Sequence, residues 1–138
     1  MNYTMVIRLQ INWGYRVNSE IKTFEKNSKI FRQGEKAAAA YLIKSGVVRI
    51  YFDEAGQQKE IARLSEGEIF GEMALIEVKY HTMNAEAVSR TELILIRPEE
   101  LEAKLRKVDP LIKSLINMFI DRMRKSNEEV LHPSYTPP

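Results

Sequence analysis

The chain has no cysteine among its 138 residues, which removes disulfides, thiolate nucleophiles and cysteine-ligated zinc from its chemistry. It has no apolar run approaching the ~20 residues of a membrane-spanning helix, and its N-terminus lacks the charged-then-apolar layout of a signal peptide. It also lacks an excess of either charge. With 21 basic and 19 acidic residues the net charge is +2, too balanced for the broad basic footprint of a nucleic-acid-binding protein. Only Arg122, Arg124 and Lys125 cluster, and they read as a solvated helix face. Histidine is scarce as well: His81 and His132 have no neighbour at metal-ligand spacing, so no metal centre is expected. These absences leave a cytoplasmic globular protein of one domain, with no cofactor and no nucleic-acid or membrane partner.

What is present is periodic. Gly34, Gly46, Gly56 and Gly67 punctuate segments rich in Ile, Val, Phe and Tyr, the rhythm of short antiparallel strands closed by turns. Val47 to Phe52, a turn over Asp53 to Gln57, and Lys59 to Leu64 read as a hairpin, with further strands over 82–88 and 92–97. Pro98 with Glu99 and Glu100 opens a helix to about Lys107. Asp109 as N-cap and Pro110 as first helical residue open a longer one. Its apolar residues Ile112, Ile116, Phe119 and Met123 follow helical spacing, and Leu111, Leu115 and Met118 widen the stripe. Such a stripe needs a covering surface, in its own chain or in a homodimer through residues 109–130. Residues 1–20 form an N-terminal extension in which Tyr3, Met5, Ile7, Leu9, Ile11, Trp13, Tyr15 and Val17 alternate with mostly polar neighbours, the pattern of an extended strand. Residues 132–138 read as a flexible tail.

The stretch Ile69-Phe70-Gly71-Glu72-Met73-Ala74-Leu75-Ile76 carries the functional signal. A glycine turn running into a short helix lets a ligand approach the backbone closely, and helix N-terminal amides favour an anion. A carboxylate beside an anion site suits a ligand that also bears hydroxyls, as a ribose phosphate does.

This block resembles the phosphate-binding cassette of the cyclic-nucleotide-binding domain family, of the catabolite activator protein and kinase regulatory subunit type. The resemblance extends from Ile21 to about Leu131 and includes Ile30-Phe31-Arg32-Gln33-Gly34-Glu35 and Tyr41-Leu42-Ile43-Lys44-Ser45-Gly46. It implies an antiparallel β jelly-roll barrel over 21–97, of the cupin-like double-stranded β-helix kind, with the cassette at 69–84 and two helices over 98–131. It further implies that Glu72 takes the ribose 2′-hydroxyl, and that the backbone at Gly71, Met73 and Ala74 approaches the ribose and cyclic phosphate. Where the family places an arginine for the phosphate, followed by a small residue, this chain has His81 and Thr82, with Lys79 two residues upstream. A histidine is mostly neutral at pH 7 and lacks the two-pronged donor of a guanidinium.

The resemblance implies binding without catalysis, so an enzyme is not expected. Two functions stay open: a stand-alone sensor of cAMP or cGMP acting through an unknown effector protein, or a degenerate domain kept as a dimerisation or interaction scaffold.

Overall fold

A computed structural model describes residues 20–76 and 80–131 of the chain. The N-terminal extension through residue 19, Lys79 and the tail at 132–138 lie outside the described residues. The chain divides after Pro98 into two compact units.

The first unit is built from strands whose inward residues alternate with polar ones. Its elements are β1 (Ile21–Phe24), β2 (Lys29–Phe31), β3 (Ala40–Ser45), β4 (Val48–Glu54), β5 (Gln57–Leu64), β6 (Ile69–Phe70), the single helical turn α1 (Met73–Ile76), β7 (Asn84–Ala87) and β8 (Thr91–Ile96). They form two antiparallel four-stranded sheets, in the orders β1-β8-β3-β6 and β2-β7-β4-β5. Both sheets feed one core: Ile43, Phe70 and Leu93 from the first meet Phe31, Val48, Leu64 and Ala85 from the second. Each large side chain in this layer is worth about 1.5–3 kcal/mol of hydrophobic transfer. The expected jelly roll is thus present as two facing sheets of four strands each.

Local chemistry shifts some boundaries from those expected. The hairpin between β4 and β5 closes over two residues, Ala55 at φ 52° and Gly56 at φ 78°, rather than over 53–57. Two positive φ values in succession make the tight turn whose twist matches the flanking strands, so pairing continues to Glu54 and Gln57. The strand expected over 82–88 begins only at Asn84, leaving Thr82 in a bend. The reason is a competing pairing upstream. The His81 amide donates to the Glu35 carbonyl and the His81 carbonyl accepts from Gly34, each at 2.8 Å, and Lys36 bridges Tyr80. The chain must turn after this pairing before it can join β4. Asn84 anchors the new strand, accepting from the Gln33 amide at 2.8 Å and donating to Asp53 at 3.2 Å.

The outward face of the second sheet carries a row of charges across three strands. Glu86 on β7 receives Lys29 of β2 at 2.8 Å and Arg49 of β4 at 2.5 Å. The Arg49 guanidinium lies 4.1 Å from the centre of the buried Tyr51 ring, and Lys29 also donates to the Tyr51 hydroxyl. Burial pushes the Glu86 carboxyl up, but the Lys29 and Arg49 hydrogen bonds outweigh it and hold the group below its ordinary range.

The second unit holds α2 (Pro98–Leu105), all but its first residue, and α3 (Pro110–Leu131). The carboxylate of Asp109 accepts from the Leu111 amide at 2.9 Å, and its carbonyl accepts from Lys113, so the N-cap and proline start of α3 are as expected. Leu111, Ile112, Leu115, Met118 and Phe119 are exposed along α3. Among the described residues no helix is long and apolar enough to cross a membrane.

Candidate functional site

The cassette begins where β6 ends. Phe70 is buried in the core, and the next residue, Gly71, turns the chain with φ 68°. A methyl group at Gly71 would stand 3.5 Å from both the Phe31 and Tyr41 rings, which is ordinary contact distance. Space therefore tolerates a side chain there; the left-handed backbone does not, at about 1–2 kcal/mol for an L-residue. Glu72 follows in the turn with its side chain exposed. The Ala74 and Leu75 amides donate to the carbonyls of Gly71 and Glu72 at 3.2 and 2.9 Å, closing α1, and Ala74 is buried. The anticipated helix at the anion site is a single turn. Its aligned dipole is correspondingly small, and individual amides matter more than a macrodipole.

An aromatic floor lies under this turn. Phe31 sits 5.9 Å from both Tyr41 and Phe70, and Tyr41 stacks on Phe70 at 5.2 Å. His81 joins from the far end of the cassette. Its imidazole lies flat on Phe31, with ring centres 3.6 Å apart and planes within 4°. Gly71 and His81, ten positions apart in sequence, thus share one ring. Thr82 is exposed in the bend beside His81, and Met73 is half-buried on α1. Lys79, two residues before His81 in sequence, is outside the described residues.

Burial lowers the His81 pKa, with the Glu35 carboxylate pulling the other way. His81 is therefore neutral at pH 7 and offers one N–H, not a cation. Tyr41 shifts upward, chiefly through burial, with Arg97 opposing and Glu35 and Glu20 adding to the rise. Phe31 and Tyr41 belong to stretches that carry the family resemblance, and in sequence both read as strand residues of the core. Phe31 ends β2 just before the Gly34 turn that pairs with His81.

A profile of the cyclic nucleotide-binding domain matches residues 21–108, well over half of the chain. The chain belongs to the cyclic nucleotide-binding domain family. It is 32% identical over 110 residues to the cyclic AMP receptor protein of Thermus thermophilus, covering 79% of this chain and 51% of that protein. It spans about half the length of that curated relative. The solved catabolite activator protein of the same organism superimposes with a TM-score of 0.65 at 31% identity, over 81% of this chain and 53% of that one. The EAL enzyme Bd1971 in its halfsite-occupied form gives a TM-score of 0.76 at 28% identity, over 79% of this chain and 98% of the compared chain. Structures of that enzyme bound to cAMP and to cGMP match at a TM-score of 0.63 and 27% identity, each over about four fifths of this chain and 30% of that one.

Proposed function

We propose that this domain is a regulatory sensor of cAMP or cGMP in the cytoplasm, without chemistry of its own, that passes its occupancy to an effector protein. The observation that carries the reading is the convergence of two cassette residues on Phe31: Gly71, in a left-handed turn, borders its ring, and the His81 imidazole stacks on it. In this reading Glu72 accepts the ribose 2′-hydroxyl. The backbone at Gly71, Met73 and Ala74 borders the ribose and phosphate, and His81 and Thr82 offer neutral donors to the phosphate oxygens. The similarity to a cyclic AMP receptor protein and to an enzyme with cAMP-bound and cGMP-bound forms supports the ligand class.

The exposed apolar stripe of α3 supports assembly as a homodimer in which two such helices pair. Leu111 is 69% and Phe119 54% exposed, and a continuous patch of this kind seldom stays uncovered on a monomer.

One observation favours a second reading. A neutral, stacked His81 supplies no permanent charge to offset a phosphate, and an anion taken from water without a partner costs several kcal/mol. A domain that had given up nucleotide and kept its dimer would show the same feature. Titration calorimetry with cAMP and cGMP at pH 5.5 and pH 8 separates the two. Saturable heat with either nucleotide supports the sensor; none at either pH, with the dimer intact, makes the domain a scaffold.

A further inference from the structure

The backbone of His81 is held on both sides, its amide by Glu35 and its carbonyl by Gly34, so only the side-chain torsions are left to set where the imidazole points. Phe31 removes that freedom. The two rings are parallel within 4° at 3.6 Å, and the same Phe31 ring borders Gly71. The fold makes room for Phe31 in this role: the β2–β7 register shifts between Lys29 and Phe31, and the residue opposite Phe31 is the fully buried Ala85. A larger residue at 85 would contend with the ring for the same space.

We infer that Phe31 is a positioning residue of the nucleotide site, its ring fixing the plane in which His81 offers an N–H to the ligand phosphate. This rests on the sensor reading above and adds to it the group that orients the phosphate donor. The stack also keeps water from one face of the imidazole, so the same contact that orients His81 disfavours its protonation. Of the charged groups around it, Glu35, whose carbonyl accepts from the His81 amide, acts on His81 and works in the opposite sense. Phosphate recognition is then proton-linked in a way set by Phe31: removing the ring frees the imidazole, and its titration moves up toward the ordinary value of about 6.5.

The test uses the intact chain with Phe31→Leu, Phe31→Tyr and His81→Gln. The chain has two histidines, so His132→Gln assigns the remaining imidazole signals to His81. In the unmodified protein the His81 ring protons resonate upfield of a free histidine, because they lie over the face of Phe31. Phe31→Leu moves them downfield and raises the His81 pKa, weakens cAMP binding at pH 8 severalfold, and shifts the midpoint of its pH dependence upward. Phe31→Tyr keeps the stack and all of these values. His81→Gln abolishes the pH dependence whether or not Phe31 is also changed. The inference is overturned if the His81 signals sit at free-histidine positions, or if Phe31→Leu leaves the signals, the pKa and the pH midpoint where they were. Absence of cAMP binding by the unmodified protein at every pH would instead defeat the sensor reading, and with it the role toward phosphate, while the imidazole signals still decide whether Phe31 orients His81.

Discussion

Replacing His81 by arginine tests how the phosphate is held. The change supplies a permanent cation with a two-pronged donor, and a hydrogen bond to a charged partner contributes about 1.5–3 kcal/mol net. Against this stands the stack on Phe31, worth about 0.5–1.5 kcal/mol beyond area burial. Part of it is retained, since a guanidinium also lies flat on aromatic rings. The balance is about 1–2 kcal/mol in favour of the bound nucleotide, or roughly 5- to 30-fold tighter binding. The pH dependence changes as well. Burial lowers the pKa of the unmodified His81, so the neutral imidazole prevails near neutrality and affinity rises as pH falls through the lowered pKa, where the cation forms and pairs with the phosphate. His81→Arg removes this slope because arginine does not titrate in the range. Titration calorimetry with cAMP at pH 5.5, 7 and 8 reads both effects. An unchanged affinity, or a pH slope that survives in the variant, would mean that the phosphate does not meet this residue, and the assignment of His81 to the cassette would fall.

Other outcomes follow from the same geometry. Glu72→Ala removes an exposed carboxylate, so calorimetry is expected to show nucleotide binding weakened roughly 10-fold or more while the melting temperature holds; equal affinity excludes Glu72 as the ribose acceptor. Glu86→Gln breaks the ion row and is expected to cost about 1–3 kcal/mol, read as a melting temperature lower by several degrees. Since the Glu86 carboxyl is depressed on folding, its contribution is present above its unfolded value of about 4.3 and is lost as pH falls through the lowered one. The melting curves of the two proteins should therefore converge in acid, and a constant gap down to pH 2 refutes the linkage. Leu115→Glu with Phe119→Glu on the exposed stripe of α3 is expected to convert a dimer to a monomer in light scattering without loss of β structure; a monomer before substitution removes the assembly proposal.

Much of the strand layout was legible because glycine spacing and alternation are local signals. The helix starts were legible because Asp109-Pro110 and Pro98-Glu99-Glu100 act on their own first turns. The misplaced start of β7 shows where local reading stops. Thr82 has strong β-propensity, but its backbone follows a residue already paired to Gly34 and Glu35, almost fifty positions earlier in the chain. The hairpin loop is shorter than the sequence suggests because Ala55 gives no hint of a positive φ, which the twist of the paired strands imposes on it. Near the cassette, the turn at Gly71 running into a short helix could be read from residue types alone, and the chain does turn there before α1. The stacking partner of His81 could not, since a phenylalanine in a strand reads as core and only tertiary structure shows which ring faces it.

The ion row around Glu86, together with the hydrogen bonds of Asn84, also guards the register of β7. β7 is only four residues long, and its inward side chains are the alanines at 85 and 87, which have almost no shape with which to reject a misplaced neighbour. A slip of one residue would turn the Glu86 carboxylate inward between the sheets, away from Lys29 and Arg49, and would bring alanine methyls out against two cations. Burying that charge unpaired costs far more than two alanines could recover. On this strand charge does the work that side-chain volume does elsewhere, and it holds in place the segment into which His81 and Thr82 lead.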